Sequence, residues 1–369
     1  MKCVISPSNT GPANLGRCSM SSHQLSPSRR FGLLCGSLEP GATNSISDVN
    51  GVSVGHKTMR NGDVNTGFTA LVPHPGNIFQ EKLNAGVEII NGFGKSAGLI
   101  QVDELGTLET PILLTNTFAI GAGVNALIRQ AILKNPEVGR TTSTVNPVVL
   151  ECNDGFLNDI QAMPLAEVDA IAALEAASSE VEQGSVGAGT GMSAFGFKGG
   201  IGSASRTFEL DSGRFVLGAL VLANFGRAGD LVLPDGRRPD PKDTQTSEER
   251  GSVIVVLASD VPLESRQLKR IAKRAGAGLA RLGAFYGNGS GDIALAFSTA
   301  QNVLHQEEND FVDRRCLNED RIDILFRAAA ETTQEAVLNA MIASPSTTGR
   351  ERHQRPSLTD WLQDTSNQL

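Results

Sequence analysis

The chain has 369 residues, of which 40 % are hydrophobic and 20 % charged, and its formal net charge is −8. This composition excludes disorder of the whole chain, and the negative charge excludes a basic surface for phosphate backbones or anionic membranes. No apolar run reaches the roughly 18 residues that a membrane span requires. The sequence therefore predicts a globular protein that has neither nucleic acid nor a membrane as its partner.

The first segment, residues 1–30, is rich in Ser, Pro and Asn and contains no acidic residue. We predict a disordered extension here, and a transit peptide to an organelle stays open as an alternative because its composition is similar. Cysteines and histidines are scattered along the chain without the spacing of a disulfide framework or a zinc site. They are Cys3, Cys18, Cys35, Cys152, Cys316, His23, His56, His74, His305 and His353. We expect free thiols in a reducing, cytoplasmic compartment, no metal and no cofactor.

Short apolar or β-branched runs that end at Gly, Asn or Asp predict buried strands at 87–90, 112–115, 148–150, 215–223, 253–258 and 293–297. Apolar residues at helical spacing predict helices at 165–181, 262–282 and 321–342. Strands that are apolar throughout are covered on both faces, and amphipathic helices bury one face. The pattern therefore predicts an α/β sandwich with sheets inside and helices outside.

Two polar motifs follow predicted elements in the first half of the chain. Glu151 to Gly155 follows the strand at 148–150, and a carboxylate held there could bind a substrate ammonium, although a solvated turn is the alternative. The glycine-rich stretch Gly184 to Gly191 follows a helix and not a strand, and its spacing differs from that of a dinucleotide-binding motif. We interpret it as close packing of backbone on backbone.

Asn224 directly follows the strand at 215–223. An asparagine commonly ends a strand or helix, but an amide fixed at a strand end is also a suitable donor to a developing oxyanion. Residues 227–250 are polar, contain several prolines and lack apolar periodicity, which predicts an exposed loop.

The loop ends at Gly251-Ser252, immediately before the apolar run 253–258. A serine at a strand boundary is a common turn residue. In a functional interpretation, Gly251 permits a strained backbone that exposes its carbonyl to attack by the Ser252 hydroxyl. Hydrolysis of the resulting ester would free Ser252 as a new N-terminus, whose α-amine, with an ordinary pKa of about 7.7 to 8.0, can activate its own hydroxyl.

A further polar motif, Asn288 to Asp292, precedes the strand at 293–297. Asn-Gly and Ser-Gly pairs usually form turns. Because side chains two residues apart on a strand point the same way, Ser290 and Asp292 could instead form a hydroxyl–carboxylate pair beside the nucleophile.

Seven segments, taken in order, resemble the DmpA-like L-aminopeptidase/D-esterase family, which includes the β-peptidyl aminopeptidases. They are LEPGATNSISDVNGVSVGH (38–56), ECNDG (151–155), GSVGAGTGMSAFGFKGGIGSASR (184–206), VLANFG (221–226), GSVIVV (251–256), GNGSGD (287–292) and EAVLNA (335–340). The resemblance implies a four-layer αββα sandwich, similar to the Ntn hydrolases but differently connected. It implies one domain over residues 31–350, with a C-terminal tail at 351–369.

The resemblance also implies self-cleavage between Gly251 and Ser252 into chains 1–251 and 252–369 that stay associated. It implies Ser252 as the nucleophile, Ser290 and Asp292 as the assisting pair, Asn224 in the oxyanion hole and Glu151 near the substrate amino group. Some relatives carry Glu at the position of Asp292. Phe156, beside the Glu151 motif, offers no phenol hydroxyl.

The predicted activity is therefore that of an N-terminal serine aminopeptidase or amidase, which acts on small peptides, amides or esters and forms a homo-oligomer of αβ heterodimers. One alternative is an acyltransferase of the ornithine acetyltransferase type, whose nucleophile is a Thr preceded by Ala, unlike Gly251-Ser252. A second alternative is a binding protein that kept the fold and is never processed.

Overall fold

The computed structural model describes residues 26–241 and 251–364. The strands are β1 Ser53–Asn61, β2 Val64–Val72, β3 Glu81–Gly92, β4 Thr107–Leu108, β5 Ile112–Asn116, β6 Val148–Cys152, β7 Ser193–Ala194, β8 Phe197–Lys198, β9 Gly200–Leu210, β10 Gly213–Asn224, β11 Ser252–Ser259, β12 Gly291–Leu304, β13 Thr347–Thr348 and β14 Gln354–Arg355. The helices are α1 Pro27–Arg30, α2 Leu99–Leu105, α3 Ile120–Lys134, α4 Glu167–Glu175, α5 Ser265–Ala272, α6 Ala275–Arg281, α7 Asp323–Ile342 and α8 Leu358–Gln363.

Two sheets form the centre of the molecule. One has the strand order β1-β2-β5-β6 and the other β4-β3-β12-β11-β10-β9. In the six-stranded sheet β11 is parallel to β12 and antiparallel to β10. The last residues of β10 and the first residues of β11 and β12 therefore lie next to one another at the same end of this sheet.

Three apolar clusters separate four layers. The inner cluster lies between the sheets and includes Leu150, Leu222 and Ile254. A second cluster packs the outer face of the six-stranded sheet against α5, α6 and α7, and a third packs β2, β5 and β6 against α3 and α4. The order helix, sheet, sheet, helix confirms the predicted αββα sandwich, in which each sheet is buried on both faces.

The predicted strands and the helix at 321–342 are present, with boundaries that differ by up to seven residues, and of the predicted helix 165–181 only 167–175 is helical, as α4. The predicted helix 262–282 is two helices, α5 and α6. In α6 the backbone of Gly278 lies so close to α7 that a Cβ there would stand 2.5 Å from the Ala330 carbonyl oxygen. The α3 helix and the β1–β2 hairpin were not predicted, since Gly121 and Gly123 interrupt the helical pattern and β1 is largely half-exposed and polar.

Both predicted terminal segments take part in the folded domain where they are described. Of the predicted extension 1–30, residues 1–25 lie outside the described residues, while α1 packs on α7 through an ion pair between Arg29 and Glu335 at 3.0 Å. Of the predicted tail 351–369, α8 buries Leu358 and Leu362 in the outer core. Both segments pack against residues that are distant in the sequence, so their local composition did not reveal that they are folded.

The glycine-rich stretch packs backbone on backbone, as predicted. A Cβ on Gly189 would stand 2.5 Å from the amide nitrogen of Ile201, and one on Gly187 would stand 2.7 Å from the carbonyl oxygen of Phe68. Side chains at these positions would push the two sheets apart. In the described part of the chain, none of the helices combines the length and the apolar character needed to cross a bilayer.

Candidate active site

Ser252 lies at the end of the six-stranded sheet where three predicted motifs come together. As the first residue of β11, it is directly opposite Asn224 at the end of β10 and Gly291 at the beginning of β12. Opposed residues of antiparallel strands present their side chains on the same face, so the Ser252 hydroxyl and the Asn224 amide share one face of the sheet. Both residues are nearly buried, with 4 % and 6 % of their surface exposed.

Gly251 is tightly enclosed by the strand beside it. A Cβ at this position would stand 2.2 Å from the carbonyl oxygen of Asn224 and 2.6 Å from the Cα of Phe225. The backbone N–H of Gly291 donates a hydrogen bond to the Gly251 carbonyl oxygen at 3.3 Å. The carbonyl that precedes Ser252 is thus polarised by a backbone donor, and only glycine fits at this position without backbone movement.

The Asn224 amide is fixed on both sides. Its Oδ1 accepts from the backbone N–H of Ser193 at 2.9 Å, and its Nδ2 donates to the carbonyl of Asn153 at 2.9 Å. An amide nitrogen carries two hydrogens, so this arrangement leaves one of them for a further acceptor. The orientation suits a donor to negative oxygen, because it needs no rearrangement when charge develops.

Ser290 and Asp292 form the predicted pair. The Ser290 hydroxyl donates to Asp292 Oδ1 at 2.6 Å, and both side chains are buried. Since Asp292 is opposite Val253 in register, the alternation of side chains puts it on the face away from the Ser252 hydroxyl. The pair therefore lies at the beginning of the strand next to Gly251-Ser252, with the Asp292 side chain on the opposite face of the sheet from the Ser252 hydroxyl.

Glu151 reaches the same edge from the other sheet. Its carboxylate is 3 % exposed, Oε1 accepts from the backbone N–H of Lys95 at 2.9 Å, and Oε2 accepts from the hydroxyl of Thr117. The neighbouring Cys152 thiol donates to the Ser252 carbonyl oxygen at 3.3 Å, which joins the sheets at this point. Burial, with the Glu151 carboxylate beside it, raises the pKa of the Cys152 thiol well above its ordinary value, so Cys152 is no competing nucleophile.

Asp154 supports this region but was not predicted from sequence. It is fully buried, accepts from the Thr66 hydroxyl at 2.6 Å and from the Asn158 amide at 2.9 Å, and anchors the turn that presents the Asn153 carbonyl. Burial raises the pKa of Asp154 to about 7. In the sequence, only the place of Asp154 in the Glu-Cys-Asn-Asp-Gly motif at 151–155 could have pointed to it.

A cleft with a volume of about 540 Å³ opens beside Gly251 and Asn224. Its walls include Phe156 and Asp159 from the turn after β6, and the basic residues Arg227, Arg350, His353 and Arg355. Sequence reasoning missed these basic residues, most of which fall in or next to the predicted tail. Within residues 26–241 and 251–364, His, Cys, Asp and Glu form no group of three that could hold a metal ion.

A sequence-family model described as peptidase family S58 matches residues 44–355. The chain is also similar to the beta-peptidyl aminopeptidase BapA of Sphingosinicella microcystinivorans. The two are 37 % identical over 339 residues, which cover 84 % of this chain and 84 % of the relative.

Two solved structures are similar over nearly their whole length. A protein from Pyrococcus horikoshii OT3 is 45 % identical with a TM-score of 0.86, over 91 % of this chain and 97 % of that one. The L-aminopeptidase D-Ala-esterase/amidase of Ochrobactrum anthropi, described as a new variant among the Ntn hydrolase fold, is 36 % identical with a TM-score of 0.83, over 90 % of this chain and 95 % of that one. The fold is therefore shared with an aminopeptidase of known structure.

Proposed function

The chain belongs to peptidase family S58, and from this membership we propose that it is a self-processing aminopeptidase or amidase with Ser252 as its nucleophile. It removes N-terminal residues from peptides, aminoacyl amides or esters through an acyl-enzyme. The observation that carries the proposal is the position of Ser252 at a strand start, opposite a fixed Asn224 amide and preceded by an enclosed glycine.

Self-processing begins when Ser252 Oγ attacks the carbonyl carbon of Gly251. The hydrogen bond from the Gly291 N–H supports negative charge on the carbonyl oxygen. The C–N bond between Gly251 and Ser252 then breaks, the Ser252 nitrogen takes up the proton that Oγ loses, and an ester joins Gly251 to Ser252 Oγ. Water hydrolyses this ester, which leaves a Gly251 carboxylate and a free Ser252 α-amine.

Turnover uses the same atoms on an external substrate. The neutral α-amine accepts the proton of Ser252 Oγ, which attacks the substrate carbonyl, and the Asn224 amide donates to the oxyanion. Collapse releases the leaving amine with that proton and forms an ester at Ser252, which water hydrolyses. Ser290 and Asp292, at the beginning of the strand next to β11, take the part of the assisting pair that orients the new amine.

Glu151 accounts for selection of substrates that carry a free amino group. Its carboxylate is held by a backbone N–H and a hydroxyl, so its position is fixed before substrate arrives. A buried carboxylate binds an ammonium group by charge-assisted hydrogen bonds. The acyltransferase alternative is not favoured, because the matched family is a peptidase family and the relatives from Sphingosinicella microcystinivorans and Ochrobactrum anthropi are described as aminopeptidases.

We extend the proposal to the oligomeric state and the cellular location of the protein. It forms a closed assembly of αβ heterodimers in the cytoplasm. Support for a reducing compartment comes from the described cysteines Cys35, Cys152 and Cys316, which are unpaired thiols. Sedimentation of the processed protein, together with fractionation of cells that express it, tests both statements.

Mass spectrometry of purified protein tests the central proposal. We expect two polypeptides, the shorter of which begins Ser-Val-Ile-Val, and hydrolysis of aminoacyl p-nitroanilides by the processed form. Ser252→Ala should stay whole and inactive. The matched control is Ser259→Ala at the other end of β11, also a buried serine, which should be processed. An intact wild-type chain that turns over substrate would contradict the mechanism.

A further inference from the structure

The cleft beside Gly251 is lined by more basic than acidic residues. Arg227, Arg350, His353 and Arg355 line it, whereas Asp159 is the one carboxylate among its described lining residues. Asp159 forms no ion pair with any of these basic groups in the described structure. Arg227 pairs with Asp230 at 3.2 Å and Arg350 with Glu351 at 3.5 Å, so Arg355 is the lining arginine whose charge no described carboxylate offsets.

The half-buried Arg355 differs from the buried Arg206 in its partners. Its guanidinium lies 3.5 Å from the centre of the Phe156 ring, and Nη1 donates to the Gln354 carbonyl at 3.2 Å. Its Nε is shielded from solvent and has no acceptor, and none of the described carboxylates forms an ion pair with it. By contrast, the buried Arg206 binds both Glu331 and Glu335.

An arginine without a counter-charge in a half-buried site is costly unless something else supplies that charge. Burial lowers the pKa of Arg355 to about 10, which leaves it cationic at neutral pH. Its planar fork of donors matches a carboxylate, and Arg355 lines the cleft that a substrate would enter.

The surrounding contacts fix the basic groups relative to the catalytic edge. His353 stacks on Phe156, with the two ring centres 4.5 Å apart, and its Nδ1 bonds to the Phe156 carbonyl at 2.8 Å. Arg350 Nε donates to the Gly155 carbonyl at 3.1 Å. Both are therefore attached to the turn that begins at Asn153, the residue whose carbonyl orients Asn224.

We propose that Arg355, assisted by Arg350, binds the α-carboxylate of the leaving residue, so that short peptides with a free carboxyl end are the preferred substrate class. This inference rests on the proposed function. The three groups of such a peptide each meet a matching partner: the ammonium meets Glu151, the reacting carbonyl meets Ser252 and Asn224, and the carboxylate meets Arg355.

The test compares a dipeptide with its C-terminal amide, both carrying the aminoacyl residue that the processed enzyme releases fastest from p-nitroanilides. We expect kcat/KM at least tenfold higher for the free acid. Arg355→Met should bring the ratio of acid to amide close to one. Arg237→Met is the matched control, because Arg237 also lies over an aromatic ring, Trp361, yet pairs with Asp235; it should keep the wild-type ratio.

The wild-type comparison is decisive even if Arg355→Met fails to fold. Equal kcat/KM for acid and amide, in an enzyme that hydrolyses p-nitroanilides, would overturn the inference alone and leave the proposed function standing. A processed enzyme that hydrolyses none of these compounds would overturn both. A ratio that survives in Arg355→Met would assign carboxylate recognition to another residue and refute the role of Arg355.

Discussion

Asn224 and Ser252 lie opposite each other at the ends of two antiparallel strands, and the carbonyl of Asn224 closes the space in which a side chain at position 251 would stand. One register therefore fixes both the donor that would hold an oxyanion and the glycine that precedes the nucleophile. Because a one-residue slip would turn each side chain to the other face, the apolar strands β10 and β11 protect this arrangement.

Gly251→Ala should slow self-processing. The new Cβ would stand 2.2 Å from the Asn224 carbonyl oxygen, so the backbone around the scissile bond must move. We expect the intact chain to persist at least ten times longer, measured by denaturing electrophoresis of a time course after synthesis. Gly121→Ala in α3 is the control, since a Cβ there meets no atom within 4 Å. Processing of Gly251→Ala at the wild-type rate would show that the enclosure has no role.

Asn224→Asp should impair turnover. Aspartate has nearly the same shape and can still accept from the Ser193 N–H, but it has no N–H for an oxyanion and adds negative charge. Loss of one such donor costs a factor of about 10² to 10³ in kcat. Steady-state kinetics should show a fall in kcat with little change in KM, as expected for a contact made in the transition state. A kcat within threefold of wild type would rule out this role.

The sequence was sufficient for motifs in which a polar residue ends an apolar run. The places of Ser252, Asn224 and the pair of Ser290 and Asp292 at strand ends could be predicted because each directly adjoins an apolar run, whereas their roles were implied only by the resemblance to the aminopeptidase family. The order of polar and apolar residues along the chain predicts that these residues lie at strand ends, and the pairing of the strands then brings those ends together.

Contacts between distant segments could not be predicted in this way. Glu151 is held by Lys95 and Thr117, which are 56 and 34 residues away and have no pattern of their own. Arg355 lies in a segment predicted as a polar tail, and only its position against Phe156 marks it. Propensity and periodicity describe neighbours along the chain, whereas these contacts arise from packing of the sheets and the C-terminal strand pair.

Glu151→Gln should separate processing from turnover. Glutamine keeps an oxygen for the Lys95 N–H or the Thr117 hydroxyl but removes the charge that binds an ammonium group. A hydrogen bond to a charged group contributes about 1.5 to 3 kcal/mol, so KM for aminoacyl p-nitroanilides should rise about 10- to 100-fold. Cleavage at Gly251-Ser252 involves no ammonium and should proceed, which also reports correct folding. An unchanged KM in the processed variant would remove Glu151 from substrate binding, and the exposed Glu104→Gln is the control.

Asp154 should make stability depend on pH. Burial raises the pKa of Asp154 from 3.8 to about 7, so between these values the folded protein retains a proton that the unfolded chain has lost. The stabilising contribution is therefore fully present below about pH 4 and is lost as pH rises through about 7. We expect the Tm advantage of the parent over Asp154→Asn to be largest near pH 4 and to shrink toward pH 8.

Calorimetry at several pH values checks this prediction, with all variants built on Ser252→Ala so that processing does not change the molecule during the scan. Asn at position 154 still accepts one hydrogen bond, from either Thr66 or Asn158, but it does not titrate. Asp310→Asn, at an exposed position, should follow the parent at every pH. A Tm difference between parent and Asp154→Asn that stays constant from pH 4 to 8 would mean that Asp154 is charged in the folded protein throughout. The turn that carries Asn153 would then be held by a carboxylate rather than by a neutral acid.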